Sequence, residues 1–356
     1  MTMFFNDNRT VVVDIGSNVI KILGLRRKVR LQIDFWNAVD IYKTGRINRP
    51  DDINPTAVVQ ILREMFKPIR PAIHRVRSVL ATHGSMIRLL ELPLIAAGDL
   101  KAAIRLNLAG LIPFDLEKIE FNYSVLSTNR ENKTQTIMVA LAPSEEIGQH
   151  LEILKRAGLE PEMITPDQLA IYNCYHQLHS GADNDTVAVV NMGADRTTIC
   201  FHHDDCCPSF SILPLGGNNI TRSIEKHFHT SFLNAEEIKT GAVNFTLGDD
   251  HSSPSETIRD AALNQTVDQI ADTIRTMHLN LQIKNCDSHL VKIMLTGGSA
   301  RLRQIDFLLA DRLKIPVYHW NPFVEPAMEG LVEPDVAETW GVQAAPALGL
   351  ALEAEA

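Results

Sequence analysis

Asp14, Gly16, Ser17, Asn18 and Lys21 crowd together directly after the β-branched run Val11-Val12-Val13. A glycine there lets the backbone bend tightly and aim N–H groups at anionic oxygens. Ser17 and Asn18 add side-chain donors, and Lys21 adds a point charge. Asp14, at the strand end, suits a hydrated Mg²⁺, an ion that keeps its waters and needs few carboxylates. The chemistry on offer is a grip on phosphate. An ordinary hairpin turn accounts for the same residues equally well, so the loop alone does not decide.

About half a chain later the design returns. Asn191-Met192-Gly193-Ala194-Asp195-Arg196-Thr197-Thr198 follows Val187-Ala188-Val189-Val190, turns at glycine and resumes as a strand. Leu295-Thr296-Gly297-Gly298-Ser299-Ala300 ends a third apolar strand and is expected to open a helix. The glycine pair would admit a flat ring or a ribose, and a helix N-terminus favours an anion. Leu215-Gly216-Gly217-Asn218-Asn219-Ile220-Thr221 leads into a helix with Ile220, Ile224 and Phe228 inward. Glu236 and Lys239, three apart, share a helix face and either bracket ribose hydroxyls or form an exposed ion pair. Three glycine turns in this order, each after an apolar strand, are far more specific than any one.

The elements that must position these residues alternate between strand and helix. The two hairpins head the two halves of the chain and suggest two lobes of duplicated ancestry. Apolar faces at Val58, Ile61, Leu62, Met65 and Phe66, at Leu100, Ile104, Leu108 and Leu111, and at Ile147, Leu151 and Leu154 predict helices. So do Val267, Ile270, Ile274, Met277 and Leu281, and then Leu302, Ile305 and Leu309. Strands are expected at Arg75–Ala81, Phe121–Leu126, Thr136–Ala140 and Val291–Leu295. The fold class is α/β with mixed sheets. Residues 84–160 read as an inserted βαββα unit, a small sheet with helices on one side, with Gly158–Pro166 as the linker back and Gly248–Ser255 as a polar loop.

Bulk properties narrow the function. A net charge of −9, with no basic run longer than Arg26-Arg27-Lys28, excludes nucleic acid as the expected partner. Five cysteines in a chain of this size form no expected disulfide framework and point to a reducing compartment. The start lacks a basic n-region, and no stretch reaches the roughly 18 apolar residues of a membrane helix, so the protein is expected in the cytoplasm. His202-His203-Asp204-Asp205-Cys206-Cys207 has the residue types of a metal site, but ligands crowded into one turn rarely close on one ion. A hairpin tip is the expected reading.

Taken in order, the motifs resemble those of the actin, sugar-kinase and chaperone ATPase superfamily. Within it the chain is similar to the PilM family of type IV pilus assembly proteins, relatives of the division protein FtsA. The similarity runs through Leu89-Leu90-Glu91-Leu92-Pro93, Leu111-Ile112-Pro113-Phe114, Val139-Ala140-Leu141-Ala142-Pro143 and Leu154-Lys155-Arg156-Ala157-Gly158-Leu159-Glu160-Pro161. It continues through Pro214-Leu215-Gly216-Gly217-Asn218, Ala235-Glu236-Glu237-Ile238-Lys239, Leu295–Ala300, Trp320-Asn321-Pro322-Phe323 and Ala347–Leu352. The resemblance implies an actin-like (ribonuclease H-like) two-lobed ATPase fold with an inserted small α/β subdomain, ATP or ADP with Mg²⁺ in the cleft, and Asp14 holding the metal through water. It puts Asp14, Gly16, Ser17, Asn18 and Lys21 in the first phosphate loop, and Gly193, Ala194, Thr197 and Thr198 in the second. Gly216 and Gly217 would approach the nucleotide, and Glu236, Lys239, Gly297, Gly298 and Ser299 would surround adenosine.

The implied boundaries are 1–83 for lobe 1, 84–160 for the inserted subdomain, 161–185 for the return to lobe 1, 186–330 for lobe 2 and 331–356 for a C-terminal return to lobe 1. The implied partner is the N-terminal cytoplasmic tail of a PilN-like inner-membrane protein, taken in a groove beside the inserted subdomain, with pilus motor ATPases as a second partner class. Membrane contact would come only through a partner. One departure bears on catalysis: the second loop opens with Asn191 where such proteins usually carry Asp, so no negative charge is offered there to a metal or water. Asp167 is a candidate to orient water, or else a helix cap after Pro166. The expectation is nucleotide binding with slow or no hydrolysis. A kinase or brisk ATPase, and an FtsA-like filament former, are the alternatives. The acidic end Glu353-Ala354-Glu355-Ala356 argues against the membrane helix that FtsA carries.

Overall fold

The computed structural model describes residues 9–27, 31–69, 75–179, 185–203, 206–241, 254–283 and 289–353. The chain lays down β1 (Arg9–Ile15), β2 (Val19–Arg27) and β3 (Leu31–Asp40), then α1 (Pro55–Phe66) and β4 (Arg75–Leu80). Next come β5 (Met86–Pro93), α2 (Ala97–Leu108), β6 (Ile119–Asn129), β7 (Thr134–Pro143) and α3 (Ser144–Arg156). The chain returns through β8 (Glu160–Pro166) and α4 (Asp167–His179). The second half runs β9 (Thr186–Met192), β10 (Thr197–His202), β11 (Ser209–Leu213), α5 (Gly217–Phe228), α6 (Phe232–Thr240) and α7 (Pro254–Ile283). It ends with β12 (Leu290–Thr296), α8 (Ile305–Leu313), β13 (Val317–His319), α9 (Pro334–Trp340) and α10 (Ala345–Leu352).

Two five-stranded sheets result, ordered β3-β2-β1-β4-β8 and β11-β10-β9-β12-β13. In each, an antiparallel meander is followed by two parallel strands on the far side. Alternation along the strands decides what each face meets. Val11 and Val13 point at α1, whose Val58, Ile61 and Leu62 are buried, whereas Val12 points at the layer between the sheets. That layer is α4 and α10, joined by Val187, Val189 and Cys200 of the second sheet. A β-carbon on Gly349 of α10 would lie 1.8 Å from the Ala170 carbonyl of α4, so only glycine lets these helices touch. Ala188, Val190 and Ile199 face the other way, onto α5 and α7.

The third sheet, β5-β7-β6, forms its own core with Leu100, Ile104 and Leu108 of α2. α3 does not share it. Its Leu154 is buried with α1 in the first lobe, so the helices are not both on one side of the small sheet. The expected linker Gly158–Pro166 is mostly strand: Pro161 and Pro166 lie in β8, an edge strand whose outer side needs no proline N–H. α2 stops at Leu108, leaving Leu111 exposed beyond Gly110 rather than on its apolar face. Leu302 likewise precedes α8. Most of the Gly248–Ser255 loop lies outside the described residues.

Candidate functional site

The β1–β2 and β9–β10 turns face each other across a cleft between the sheets. Gly16 N–H donates to Val19 O at 3.1 Å, and Gly193 N–H to Arg196 O at 2.9 Å, the same turn built twice. The cleft has a cavity of about 220 Å³. Of the residues singled out in the sequence, Asp14, Gly16, Ser17, Asn18, Lys21, Asp167, Asn191, Gly193, Ala194, Glu236, Lys239, Gly297, Gly298 and Ser299 line it. The lining also includes Asp40, Asp195, Arg196, Gln343 and Pro346, which sequence reasoning passed over. Arg196 and Asp195 were visible within the second loop. Gln343 and Pro346 carried no local signal, because only the packing of α10 and of the turn before it brings them to the cleft.

Four expected residues do not line it. Thr197 is fully buried and donates to Leu215 O at 2.9 Å, and Thr198 donates to Asp167 Oδ2 at 2.8 Å, behind the cleft wall. Gly216 is pressed against the second loop, where a β-carbon would meet Ala194 O at 2.5 Å. One on Gly217 would meet Ser299 Oγ at 2.3 Å. The N–H groups of Gly217 and Asn218 donate to Gly193 O and Ala194 O at 3.1 and 2.7 Å, so the start of α5 anchors the loop and is not free for an anion. Gly298 opens a four-residue 3-10 turn rather than an α-helix. Gly297, at φ +95°, lies where a β-carbon would strike Met192 O at 2.4 Å, and Ser299 Oγ donates to Gly193 O at 2.7 Å.

Two buried ion pairs set the electrostatics. Lys21 Nζ sits 2.8 Å from Asp14 Oδ2, the two residues facing each other across one rung of β1 and β2. Arg196 Nη2 sits 3.0 Å from Asp167 Oδ2. Burial pushes the Asp167 carboxyl up, and Arg196 and the Thr198 hydroxyl pull it back. On the α6 side, Glu236 Oε2 accepts from Thr221 Oγ1 at 2.6 Å and lies 2.7 Å from Lys239 Nζ. Burial lowers the Lys239 ammonium and Glu236 opposes this. The Glu236–Lys239 pair is thus a cleft wall, not an exposed surface pair. At the mouth, Asn18 and Asn218 exchange two amide hydrogen bonds of 3.1 and 3.2 Å between the lobes.

Behind the first loop, Ser78 Oγ donates to Val13 O at 3.1 Å, next to Asp14. A hydroxyl has one proton, so the 2.7 Å contact with His150 Nε2 makes the imidazole the donor there. Burial drops His150 to about 4.

The donor set suits a nucleotide with a hydrated Mg²⁺. Glycine turns offer N–H groups, two lysines face in, and Asp14 and Asp167 are carboxylates in the same wall. Of the His202–Cys207 segment, Asp204 and Asp205 lie outside the described residues. His202 Nε2 lies 3.0 Å from His176 Nδ1, and no cluster of three metal-ligating side chains occurs among the described residues. Cys206 is disulfide-bonded, where no disulfide framework was expected, while Cys174 and Cys200 are buried thiols and Cys286 lies outside the described residues.

Two lobes of one topology, closing on a cleft walled by paired glycine turns, define an actin-like ATPase fold. A chain of the PilM-PilN type IV pilus biogenesis complex superposes with a TM-score of 0.77 at 22% identity, covering 96% of this chain and 97% of that one. Ethanolamine utilization protein EutJ from Carboxydothermus hydrogenoformans gives 0.51 at 16% identity, over 97% of this chain and 89% of that one. The family model of type IV pilus assembly protein PilM matches residues 12–355, and the chain belongs to that family. No helix among the described residues is long and apolar enough to cross a membrane.

Proposed function

We propose that this protein is a nucleotide-holding scaffold of type IV pilus assembly, working on the cytoplasmic side of the inner membrane through a PilN-like partner. The observation that carries the nucleotide reading is the convergence of both glycine turns, Lys21, Lys239 and the Gly297–Gly298 pair on one cleft. ATP or ADP would lay its phosphates between the Gly16 and Gly193 turns, with Mg²⁺ held through water by Asp14 and adenosine between Glu236, Lys239 and Gly298. Hydrolysis would be slow: Asn191 brings no charge to a metal or to the attacking water. A kinase or brisk ATPase would need a free base at that position.

The partner site we assign is an apolar groove of about 250 Å³ lined by Leu80, Phe121, Leu141, Ile147, Ile164 and Pro166. It runs between β6 and β8, the edge strands of two different sheets, and an extended peptide lying along such edges is a common recognition mode. Residues 84–160 would act as the partner-binding subdomain, set between 1–83 and 161–185 of lobe 1. Residues 186–330 would form lobe 2, and 331–356 would return to lobe 1. Pilus motor ATPases are a second class of partner for the outer surface.

Two measurements test this. Protein denatured after gentle purification should release nucleotide, and Asp14→Ala should carry none. A peptide matching the N-terminal tail of the PilN-like protein should bind wild type and fail on Ile164→Asp. Absence of peptide binding in both nucleotide states would sink the scaffold reading.

A further inference from the structure

Arg196 stands at the corner of the second turn where the first turn has Val19. The residue is 9% exposed and lines the cleft. Nη1 donates to the Thr82 carbonyl, in the segment following β4 of the first lobe. Nη2 is close to Asp167 but makes no hydrogen bond with it. Asp167 is 2% exposed, uses Oδ2 for Thr198 and leaves Oδ1 without a hydrogen-bond partner. The two groups attract each other without satisfying each other. A buried planar fork with a spare N–H, beside a turn that aims backbone donors the same way, matches the oxygens of a tetrahedral anion.

We propose that Arg196 reads the third phosphate of the nucleotide, an inference that depends on the nucleotide reading above. A diphosphate leaves Arg196 on Asp167. A triphosphate presents more charge than one carboxylate and takes Nη2 over. Because Nη1 already holds the Thr82 carbonyl, the same side chain then ties lobe 2 and the terminal phosphate to lobe 1. Asp167 is the competitor that keeps this contact reversible.

The test is calorimetric titration of nucleotide-stripped protein with Mg-ADP and Mg-AMPPNP. Wild type should bind AMPPNP about tenfold or more tighter than ADP, the worth of one hydrogen bond to a charged group. Arg196→Ala should remove that preference while leaving ADP within about threefold. Arg196→Lys, which keeps the charge and loses the fork, guards against misfolding and should fall between. Asp167→Asn removes the competitor and should tighten AMPPNP, where a merely structural pair would weaken it. Equal AMPPNP-to-ADP ratios in wild type, Arg196→Lys and Arg196→Ala, or weaker AMPPNP binding by Asp167→Asn, would overturn the proposal while leaving the nucleotide reading intact. Wild type binding neither nucleotide would overturn both.

Discussion

In the first lobe Asp14 and Lys21 face each other on one rung of β1 and β2 and join in a buried ion pair; on the matching rung of β9 and β10 stand Asn191 and Thr198, neither of them charged. One strand further in, Ser78 on β4 pairs with Val13 and contacts His150, whereas Leu295 on β12 pairs with Val190 and lies in an apolar core. The turns are one backbone design. The first lobe surrounds its turn with titrating groups, while the second has moved its cation to the corner, at Arg196, to meet a carboxylate from α4. The two halves share the turn geometry and differ in electrostatics, so they should respond differently to the same perturbation.

Charge removal should separate them most. Lys21→Met leaves Asp14, 3% exposed, without its cation, and truncating one partner of such a pair costs about 3–5 kcal/mol. The Asp14→Asn/Lys21→Met double variant should recover most of that stability but no nucleotide. Thr198→Val in the second lobe removes one hydrogen bond from a carboxylate that Arg196 still neutralises, at a cost of about 1–2 kcal/mol. Urea midpoints measure all three. A Thr198→Val loss equal to that of Lys21→Met would erase the distinction.

The pH response should follow the first lobe. His150 holds its proton more weakly when folded, at about 4, than the ordinary 6.5, so the unfolded chain is protonated first as pH falls. The stability it contributes is complete above pH 6.5 and disappears between there and about pH 4, a total of roughly 3 kcal/mol. Urea midpoints across that range should fall more steeply for wild type than for His150→Gln, which can still donate to Ser78. Parallel curves would show that the imidazole is not the group responsible.

How much of this was legible beforehand follows from range. The glycine turns, the half-chain echo and the alternation of strand and helix are local, and the sequence reading of the turns matched the cleft lining except at Thr197 and Thr198. Asp167 was legible as a candidate, but its neutralisation by Arg196 was not, because the pair forms only when α4 packs beneath the second sheet. Gly216 and Gly217 read as phosphate binders on pattern, yet a glycine next to a helix start serves close packing just as well. β8 read as a linker because of its two prolines, and only its edge position explains why a strand tolerates them. Gln343, in the turn before α10, and Pro346, in its first turn, came from the far end of the chain and had no periodicity to betray them.

Restoring charge to the second loop probes the divergence directly. Asn191→Asp recreates the first-lobe acid without a Lys21 equivalent, in a wall already holding Asp14 and Asp167. Without ligand, the added like charge should cost about 1–2 kcal/mol of stability. Mg-nucleotide should restore it, and hydrolysis should rise by about tenfold or more if an acid there assists the attacking water. A variant that is no less stable without Mg²⁺ would mean that position 191 does not feel the other carboxylates.

The smallest contrast lies in the turns themselves and asks whether the shared backbone is equally tight. A β-carbon on Gly16 would come within 2.7 Å of Val19 O, a backbone atom that cannot step aside, and Lys21 Nζ would be 3.5 Å away. On Gly193 the corresponding approach, to Arg196 O, is 3.0 Å, which a shift of a few tenths of an ångström relieves. Gly16→Ala should therefore cost about 1–3 kcal/mol through overpacking. Gly193→Ala should stay within about 1 kcal/mol, since the strain is partly offset by the reduced freedom of the unfolded chain. Thermal midpoints of the two variants, with and without nucleotide, give the comparison. If the first turn is the tighter grip, nucleotide should rescue Gly193→Ala and leave Gly16→Ala behind.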